Sequence, residues 1–384
     1  MPVKFIVSLS ILLLATTSHA QIKWPPITNQ TKPWARWWWE GSAVNKNDLT
    51  ANLRDYQSAG LGGMEITPIY GVHGYEKQFI SFLSPRWMQM LDHTLKEAKR
   101  IGIGIDLANG TGWPFGGPTI TDKEASKTIY HKTYELNAGE ELKEPLFYKV
   151  DALLRTANAN DKPVKIETIN PVIAENKNLQ ELALDQIIFP EALPVKLLMG
   201  FSDKEETINL TNKVDAQGRL NWKAPGGKWT LYGLFQGLHG KMVERAAPGG
   251  EGYAIDHFSA DALHHYFKRF DEAFKGHDIS YIRALFNDSY EVDDARGQSN
   301  WTPGFLSEFQ KRRGYDLRNH LPALFQKAGA DMNSRVIFDY RTTIGELILE
   351  DFTQEWKNWG STKGAIIRNQ SHGSPANLLD LYGA

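Results

Sequence analysis

The feature that most constrains the fold is an alternation of short apolar runs with longer amphipathic segments. Apolar runs at 36–40, 63–67 and 103–107 have the length of buried strands, and segments 48–59 and 84–100 carry apolar residues at helical spacing. Short connections between such elements are typical of a right-handed parallel α/β sheet. In a parallel α/β barrel, the loops that leave the carboxyl ends of the strands form the active-site face. We therefore expect functional side chains where the apolar runs end.

The alternation is interrupted in the middle of the chain. Helical periodicity is weak there, and turn signals separate short β-like runs at 128–136, 195–201, 207–210 and 228–235. The alternation then resumes, with helices predicted at 259–274, 303–313 and 334–357 and strands at 282–287 and 365–368. We predict a first barrel segment at 21–120, a β-rich insertion at 121–250 and a continuation of the barrel at 251–384.

The number of predicted strands is too small for a closed barrel. About five parallel strands are predicted, whereas a (β/α)8 TIM-type barrel needs eight. An unclosed barrel would leave a bare edge strand and an exposed core. We therefore expect an incomplete (β/α)8 barrel with an inserted β-rich module. Either the chain is a fragment of a longer protein, or the sheet is open and its edge is completed in another way.

The first twenty residues resemble a secretory signal peptide. Lys4 precedes an apolar core at 5–15 that is too short to span a bilayer, and Ser18 to Ala20 are suited to cleavage after Ala20. The chain contains no cysteine, so it can carry neither a disulfide nor the lipid-modified cysteine of a bacterial lipoprotein. We expect a secreted or periplasmic protein without a membrane anchor. A net charge of −2, with both signs interspersed, argues against nucleic acid as a partner.

Polar side chains follow or end most of the predicted strands. Asp288 and Glu291, which come directly after the run at 282–287, are the principal catalytic candidates. The simpler alternative is that they cap the next segment or pair with Arg283. Several such residues on one barrel face are harder to explain by structure alone. The full set is Glu40, Glu65, Asp106, Asn109, Asp256, His257, Asp288, Glu291 and His372.

Tryptophan is abundant, with 12 residues in the chain. Because side chains alternate along a strand, Trp38 should point away from Trp37 and Trp39. Trp38 and Trp113 lie near the polar set and could offer flat apolar faces to a sugar ring, although a single Trp is more often a core residue. The candidate substrate-binding residues are Trp38, Glu65, Asp106, Trp113, Asp288 and His372.

Carboxylates beside aromatic residues suit glycoside hydrolysis, which needs one carboxylic acid and one carboxylate. The chain lacks cysteine, a nucleophile elbow and a phosphate-binding loop. A metal hydrolase is the alternative, because His257, His264, His265 and His372 could be ligands. No HExxH or comparable spacing supports that alternative.

Seven blocks of the chain resemble the catalytic region of glycoside hydrolase family 106, which comprises bacterial α-L-rhamnosidases. They occur in the same order as in that family and span most of the chain. The blocks are PWARWWWEG (33–41), AGLGGMEI (59–66), EAKRIGIGIDLANGTGWPFGGP (97–118), VERAAPGGEGYAIDHF (243–258), FNDSYEV (286–292), FQKRRGYDL (309–317) and QSHGSP (370–375).

The resemblance implies a (β/α)8-type domain, inverting hydrolysis of α-L-rhamnosides in plant or bacterial glycans, and a requirement for calcium. Glu291 matches an essential glutamate of the family, whose role as acid or base stays open. Any of Asp106, Asp256, Asp288 or His372 could bind calcium, substrate or neither. Other acidic residues of the family's site have no counterpart in this chain, so we expect the chain alone to be inactive. The second hypothesis is a noncatalytic secreted sugar-binding protein derived from such an enzyme.

Overall fold

The structure, a computed structural model, describes residues 24–156, 164–292 and 297–384. The predicted signal peptide at 1–20 lies outside these ranges. Within them, no helix is both long enough and apolar enough to cross a bilayer.

Strands and helices alternate at both ends of the chain, and strands dominate its middle. The strands are β1 (Trp34–Glu40), β2 (Gly63–Ile69), β3 (Gly104–Ala108), β4 (Gly116–Gly117), β5 (Lys127–Leu136), β6 (Phe147–Val150), β7 (Leu153–Thr156), β8 (Leu184–Ile188), β9 (Glu191–Pro194), β10 (Leu197–Ser202), β11 (Thr207–Asn209), β12 (Trp229–Leu238), β13 (Tyr253–Ala254), β14 (Ile282–Asn287) and β15 (Ile366–Asn369). The helices are α1 (Lys46–Ser58), α2 (Pro85–Ile101), α3 (Lys177–Leu182), α4 (Ala260–Phe274), α5 (Phe305–Arg313), α6 (Leu321–Leu324), α7 (Ala330–Leu347), α8 (Glu355–Thr362) and α9 (Leu378–Gly383).

The central feature is one parallel sheet with the strand order β1-β2-β3-β14-β15. Every pairing in this sheet is parallel. Among the described residues β1 and β15 each pair with a single neighbour, so the sheet is open rather than closed into a barrel. The structure therefore shows a mixed α/β architecture, and it does not confirm the predicted (β/α)8 barrel.

Helices cover one face of the sheet. Trp37 and Trp39 of β1 are buried toward that side, whereas Trp38 is 42% exposed on the other, as the alternation of side chains predicted. The ring of Trp39 lies 5.7 Å from that of Trp87 on α2. Phe270 of α4 belongs to the same buried cluster. The opposite face of the sheet is consequently left for polar side chains.

The ends of α2 follow from local chemistry. The hydroxyl of Ser84 accepts a hydrogen bond from the Trp87 amide at 3.3 Å, and Pro85 occupies the first turn, where a missing N–H costs nothing. Gly102 ends the helix in the left-handed conformation at φ 78°. The helix predicted at 84–100 is confirmed to within a residue at each end.

The middle of the chain forms an antiparallel sheet with the order β11-β10-β12-β5. Tyr232 and Leu234 of β12 share a buried cluster with Phe305 and Phe309 of α5. This sheet thus packs against the helices that follow β14, and it is not a detached lobe. The domain boundaries at 120 and 250 stay predictions.

The helix predicted at 334–357 is longer than expected. It begins with α7 and continues through π-helical turns at Ile348–Gln354 into α8. The hydroxyl of Thr353 donates to the Ile348 carbonyl five residues earlier, which is the spacing of a π-helix. The bulge turns Phe352 onto the ring of His257, with centroids 4.8 Å apart.

Candidate active site

The carboxyl end of β14 carries Glu291 in an exposed position. The loop after β3 brings Trp113 to it, and the indole N–H donates to Glu291 Oε2 at 2.6 Å. The two residues are 178 positions apart, and the pairing of β3 with β14 places their loops side by side. A carboxylate held by one directed donor at a strand end has the position expected of an acid or base in this class of sheet.

Asp288 lies deeper than Glu291 and is paired. Arg36 of β1 donates to both of its oxygens, at 2.8 Å to Oδ2 and 3.4 Å to Oδ1. With its amide oriented to donate, Gln370 also reaches the Asp288 carbonyl at 3.0 Å and Oδ1 at 2.9 Å. The alternative that Asp288 pairs with Arg283 is wrong, because Arg283 binds Asp106 instead.

Glu65 and Asp106 are in the middle of their strands, and the prediction that they lie at or beyond the strand ends is wrong. Each is the third residue of its strand, and the parallel register sets Arg36 beside Glu65 and Glu65 beside Asp106. All three side chains project from the face of the sheet opposite the helices. They form the floor beneath the carboxyl edge rather than the edge itself.

Three arginines pair with the acidic side chains on this face of the sheet. Arg36 Nε donates to Glu65 Oε1 at 3.0 Å, and Arg283 Nε donates to Asp106 Oδ1 at 2.9 Å. Arg368 of β15 bridges the two acids, 2.9 Å from Glu65 and 2.7 Å from Asp106. Burial raises the pKa of Glu65, and the charges of Arg36 and Arg368 oppose that rise. We call Arg36, Glu65, Asp106, Arg283, Asp288 and Arg368 the charged floor.

Aromatic rings border the charged floor. The Arg36 guanidinium lies 5.0 Å from the ring centroids of both Trp38 and Phe286. Arg368 lies 5.2 Å from the ring centroid of Phe286. Trp38 therefore belongs to the face that the floor occupies, where its exposed ring can take a sugar.

Asp256 and His257 follow β13 and are buried. Burial raises the pKa of Asp256 to about 6 and lowers the pKa of His257 to about 3. The Nδ1 of His257 lies 2.9 Å from the Ile255 carbonyl, which fixes Nδ1 as the protonated nitrogen of the neutral ring. This pair is packed inside the protein and does not join the charged floor.

His372 is exposed in the loop after β15, and in the described part of the chain it makes none of the contacts that join the floor. Within residues 24–156, 164–292 and 297–384, no three histidine, aspartate or glutamate side chains are arranged to hold a metal ion. Calcium prefers carboxylate oxygens. Those of Glu65, Asp106 and Asp288 each face an arginine, so these three carboxylates are already engaged and we derive no step through calcium.

Three arginines are the residues of the candidate site that sequence reasoning did not include. Arg36, Arg283 and Arg368 each interrupt an apolar strand run, and arginine is rarely placed there without a partner. That interruption is a signal in the sequence. Its meaning depends on partners as far as 303 residues away, which no local pattern specifies.

Comparisons with known proteins agree with one another on the class of protein. A family model described as α-L-rhamnosidase, glycoside hydrolase family 106, matches residues 23–181 and 193–379. A curated protein of Formosa agariphila with the provisional name β-glucuronidase is 27% identical over 376 residues, which cover 93% of this chain and 31% of that protein. The solved structure of a rhamnosidase from Novosphingobium sp. PP1Y matches with a TM-score of 0.64 at 17% identity, over 93% of this chain and 48% of that one.

The chain thus spans about a third of the length of that curated relative and about half of that solved rhamnosidase. The structural match shows a shared fold. The family model covers most of the chain, and the seven sequence blocks lie within its two matched ranges. The chain belongs to glycoside hydrolase family 106, the α-L-rhamnosidase family.

Proposed function

We propose that this chain forms part of the catalytic region of a glycosidase that removes terminal α-L-rhamnose from plant or bacterial glycans. The observation that carries the proposal is the Glu291 carboxylate, exposed at the carboxyl end of β14 and held by the Trp113 indole at 2.6 Å. It occurs in a chain matched by the α-L-rhamnosidase family model. Carbohydrate is therefore the proposed partner.

The proposed chemistry is inversion by two carboxyl groups. One protonates the leaving oxygen while the other activates a water on the opposite face of the sugar, which requires a separation of roughly 6.5–9.5 Å. Glu291 supplies one of the two, as acid or as base. Glu65, Asp106 and Asp288 are poor candidates for the other, because an arginine side chain already occupies oxygens of each of them.

The charged floor has a positioning role in this proposal. The ion pairs of the floor fix the orientation of its charged side chains. Through the Arg36–Asp288 pair they hold the loop after β14 in place during the reaction. Trp38 and Trp113 supply faces for the sugar ring, and Asp288 and His372 are the proposed partners of its hydroxyl groups. Glu65 and Asp106 act from below, through Arg36 and Arg368.

We also propose that these 384 residues alone turn over rhamnosides slowly or not at all. The arginine pairing of the floor and the share of the relatives that the chain spans both support this. We further propose that the protein is exported by cleavage after Ala20 and that its activity requires calcium. Mass spectrometry of the protein from its native host tests the cleavage, and activity after chelation tests the calcium.

The decisive experiment replaces Glu291 by Gln in the natural polypeptide and measures hydrolysis of an aryl α-L-rhamnoside. We expect kcat/KM to fall by about 10² to 10⁴, because the substitution removes proton transfer and leaves the shape of the site unchanged. Glu97→Gln, on the outer helix α2, is the matched control and should change the rate little. Proton NMR of the first-formed product should show the anomer opposite to the substrate's.

An unchanged rate in the Glu291→Gln protein would disprove the assignment of the catalytic carboxylate. Saturable rhamnose binding without turnover by the natural polypeptide would instead favour the sugar-binding protein. The arginine pairing of three carboxylates supports this sugar-binding alternative, because acids paired with arginine are better suited to binding than to proton transfer.

A further inference from the structure

A further arginine, Arg245, lies against Trp113 and outside the charged floor. Arg245 belongs to the segment that follows β12, and its guanidinium lies 5.3 Å from the ring centroid of Trp113 and 6.0 Å from that of Tyr70. The same indole donates to Glu291 through its N–H. The Trp113 indole is therefore in contact with both groups, with the Glu291 carboxylate at its N–H and the Arg245 guanidinium over its ring.

Backbone contacts hold Arg245 in this place. Its carbonyl accepts a hydrogen bond from the Tyr70 amide at 3.0 Å, and the neighbouring Glu244 exchanges backbone hydrogen bonds with Trp113 at 2.6 and 3.2 Å. Tyr70 directly follows β2, and Trp113 lies in the loop after β3. The segment thus crosses the carboxyl edge of the sheet at the predicted substrate side.

The conformation of Arg245 is unfavourable for an arginine. Its φ is +56°, a left-handed value that glycine, asparagine or aspartate adopts more readily. Residues held in such conformations cluster at binding and catalytic sites. Here Val243 and Ala246 are buried, whereas the side chain of Arg245 is exposed.

The guanidinium is available to a ligand. The Arg245 side chain is 45% exposed, and among the described residues its nearest carboxylate oxygen, on Glu244, is 3.7 Å away, beyond hydrogen-bonding distance. The other oxygen of Glu244 lies 3.2 Å from the buried Lys241. Stacking on Trp113 and Tyr70 orients the guanidinium without using its N–H donors.

We propose that Arg245 forms a subsite for an anionic group on the sugar residue next to the cleaved bond. Rhamnose itself carries no charge, so the anion belongs to its neighbour, as the carboxylate of a uronic acid or as a sulfate ester. Both offer the paired oxygens that a guanidinium binds in two parallel hydrogen bonds. This inference rests on the proposed function and narrows its substrates to acidic glycans.

The test compares three disaccharides that share one linkage: α-L-rhamnose on glucuronic acid, on glucose and on glucose 6-sulfate. Affinities are measured by titration calorimetry on the natural polypeptide carrying Glu291→Gln, so that the ligands stay intact. We expect at least one anionic disaccharide to bind roughly tenfold to a hundredfold more tightly than the neutral one. The preference should shrink as salt is added.

Arg245→Asn should abolish this preference, so that the anionic disaccharides bind no more tightly than the neutral one. Asparagine tolerates the left-handed backbone, so the turn is kept while the charge is removed. Arg54→Asn, an exposed arginine on the outer helix α1, removes the same charge elsewhere and should keep the preference. An unchanged thermal unfolding midpoint shows that each variant is folded.

The outcomes separate the two proposals. A preference for the glucuronate identifies a uronic acid subsite, and a preference for the sulfate alone identifies a sulfated neighbour. Equal affinities for all three disaccharides, with or without Arg245, overturn the subsite and leave the rhamnosidase proposal standing. Failure of all three to bind, together with no cleavage by the protein that retains Glu291, overturns both.

Discussion

At the scale of single residues, burial sets the protonation of a glutamate behind the Arg245 segment. Glu251 accepts hydrogen bonds from Gln180 Nε2 and from the Gly249 amide, both at 2.8 Å. Burial raises its pKa to about 7, and these bonds together with the charge of Arg269 oppose the rise. Gln180 also donates to the Ala246 carbonyl, so Glu251 supports the turn that presents Arg245.

This raised pKa predicts a loss of stability as pH increases. The folded protein holds the Glu251 proton up to about pH 7, whereas the unfolded chain releases it near 4.5, so the unfolding free energy should fall with pH in this window. The contribution of this group is roughly 3 kcal/mol across the window. Urea denaturation at pH 4.5 and 8 measures it.

In the Glu251→Gln protein this contribution should disappear, so its stability should decline less between the two pH values. Glu141→Gln, at an exposed position of the β-rich segment, is the control and should follow the original protein. Parallel profiles for the original protein and Glu251→Gln would contradict the prediction.

Residue identities pointed to Glu291 and Trp113 but not to the contact between them. The sequence placed both near strand ends, whereas the 2.6 Å hydrogen bond joins positions 178 residues apart. The charged floor was harder to foresee, because Arg36 lies 252 residues from Asp288. Such pairs depend on which strands become neighbours, and strand order is a property of the folded sheet rather than of any short motif.

At the scale of elements, the loop after β3 depends on one glycine. Gly112 has φ 53°, and its amide donates to the Pro68 carbonyl at 3.1 Å. A Cβ added there would lie 1.9 Å from the Glu244 carbonyl oxygen, which is backbone and cannot rotate away. The close approach lets this loop and the Arg245 segment pair, and so it places Trp113 beside Glu291.

We predict that Gly112→Ala destabilises the protein more than Gly60→Ala does. Gly60 also has a positive φ, of 88°, but a Cβ there would meet nothing within 4 Å. Both substitutions cost about 1–2 kcal/mol for the left-handed backbone, and the clash at Gly112 adds about 1–3 kcal/mol. Denaturant titration measures this difference, and equal losses would refute the role of the close approach.

Element boundaries followed from local signals wherever a cap was present. The ends of α2 were predicted correctly from three residues, Ser84, Pro85 and Gly102. Ser84 accepts a hydrogen bond from a free backbone amide, Pro85 has no amide hydrogen to satisfy, and Gly102 adopts the left-handed conformation that ends the helix. The helix after residue 330 was less predictable. Its π-helical turns accommodate the packing of Phe352 against His257, a tertiary contact that leaves no periodic signal in the sequence.

At the scale of the whole molecule, the segment that forms the antiparallel sheet lies, along the chain, between two strands that pair with each other. β3 and β14 are neighbours although β4 to β13 separate them in the chain. The alternation of apolar runs predicted the five parallel strands. Their order, with β14 placed directly beside β3 across this long excursion, could not be read from spacing, since long connections close at little additional entropic cost.

The open sheet predicts a gradient of amide protection across its strands. β14 has a partner on each side, whereas β1 and β15 have one each among the described residues, so alternate amides of these outer strands lack a strand acceptor. Hydrogen exchange of the 384-residue chain should therefore be roughly tenfold or more faster at 366–369 than at 282–287. Equal protection would mean that another strand pairs with β15 in solution, which exposed Ile366 would favour. Repeating the exchange at lower protein concentration separates pairing between chains, which dilution weakens, from pairing within one chain, which it leaves unchanged.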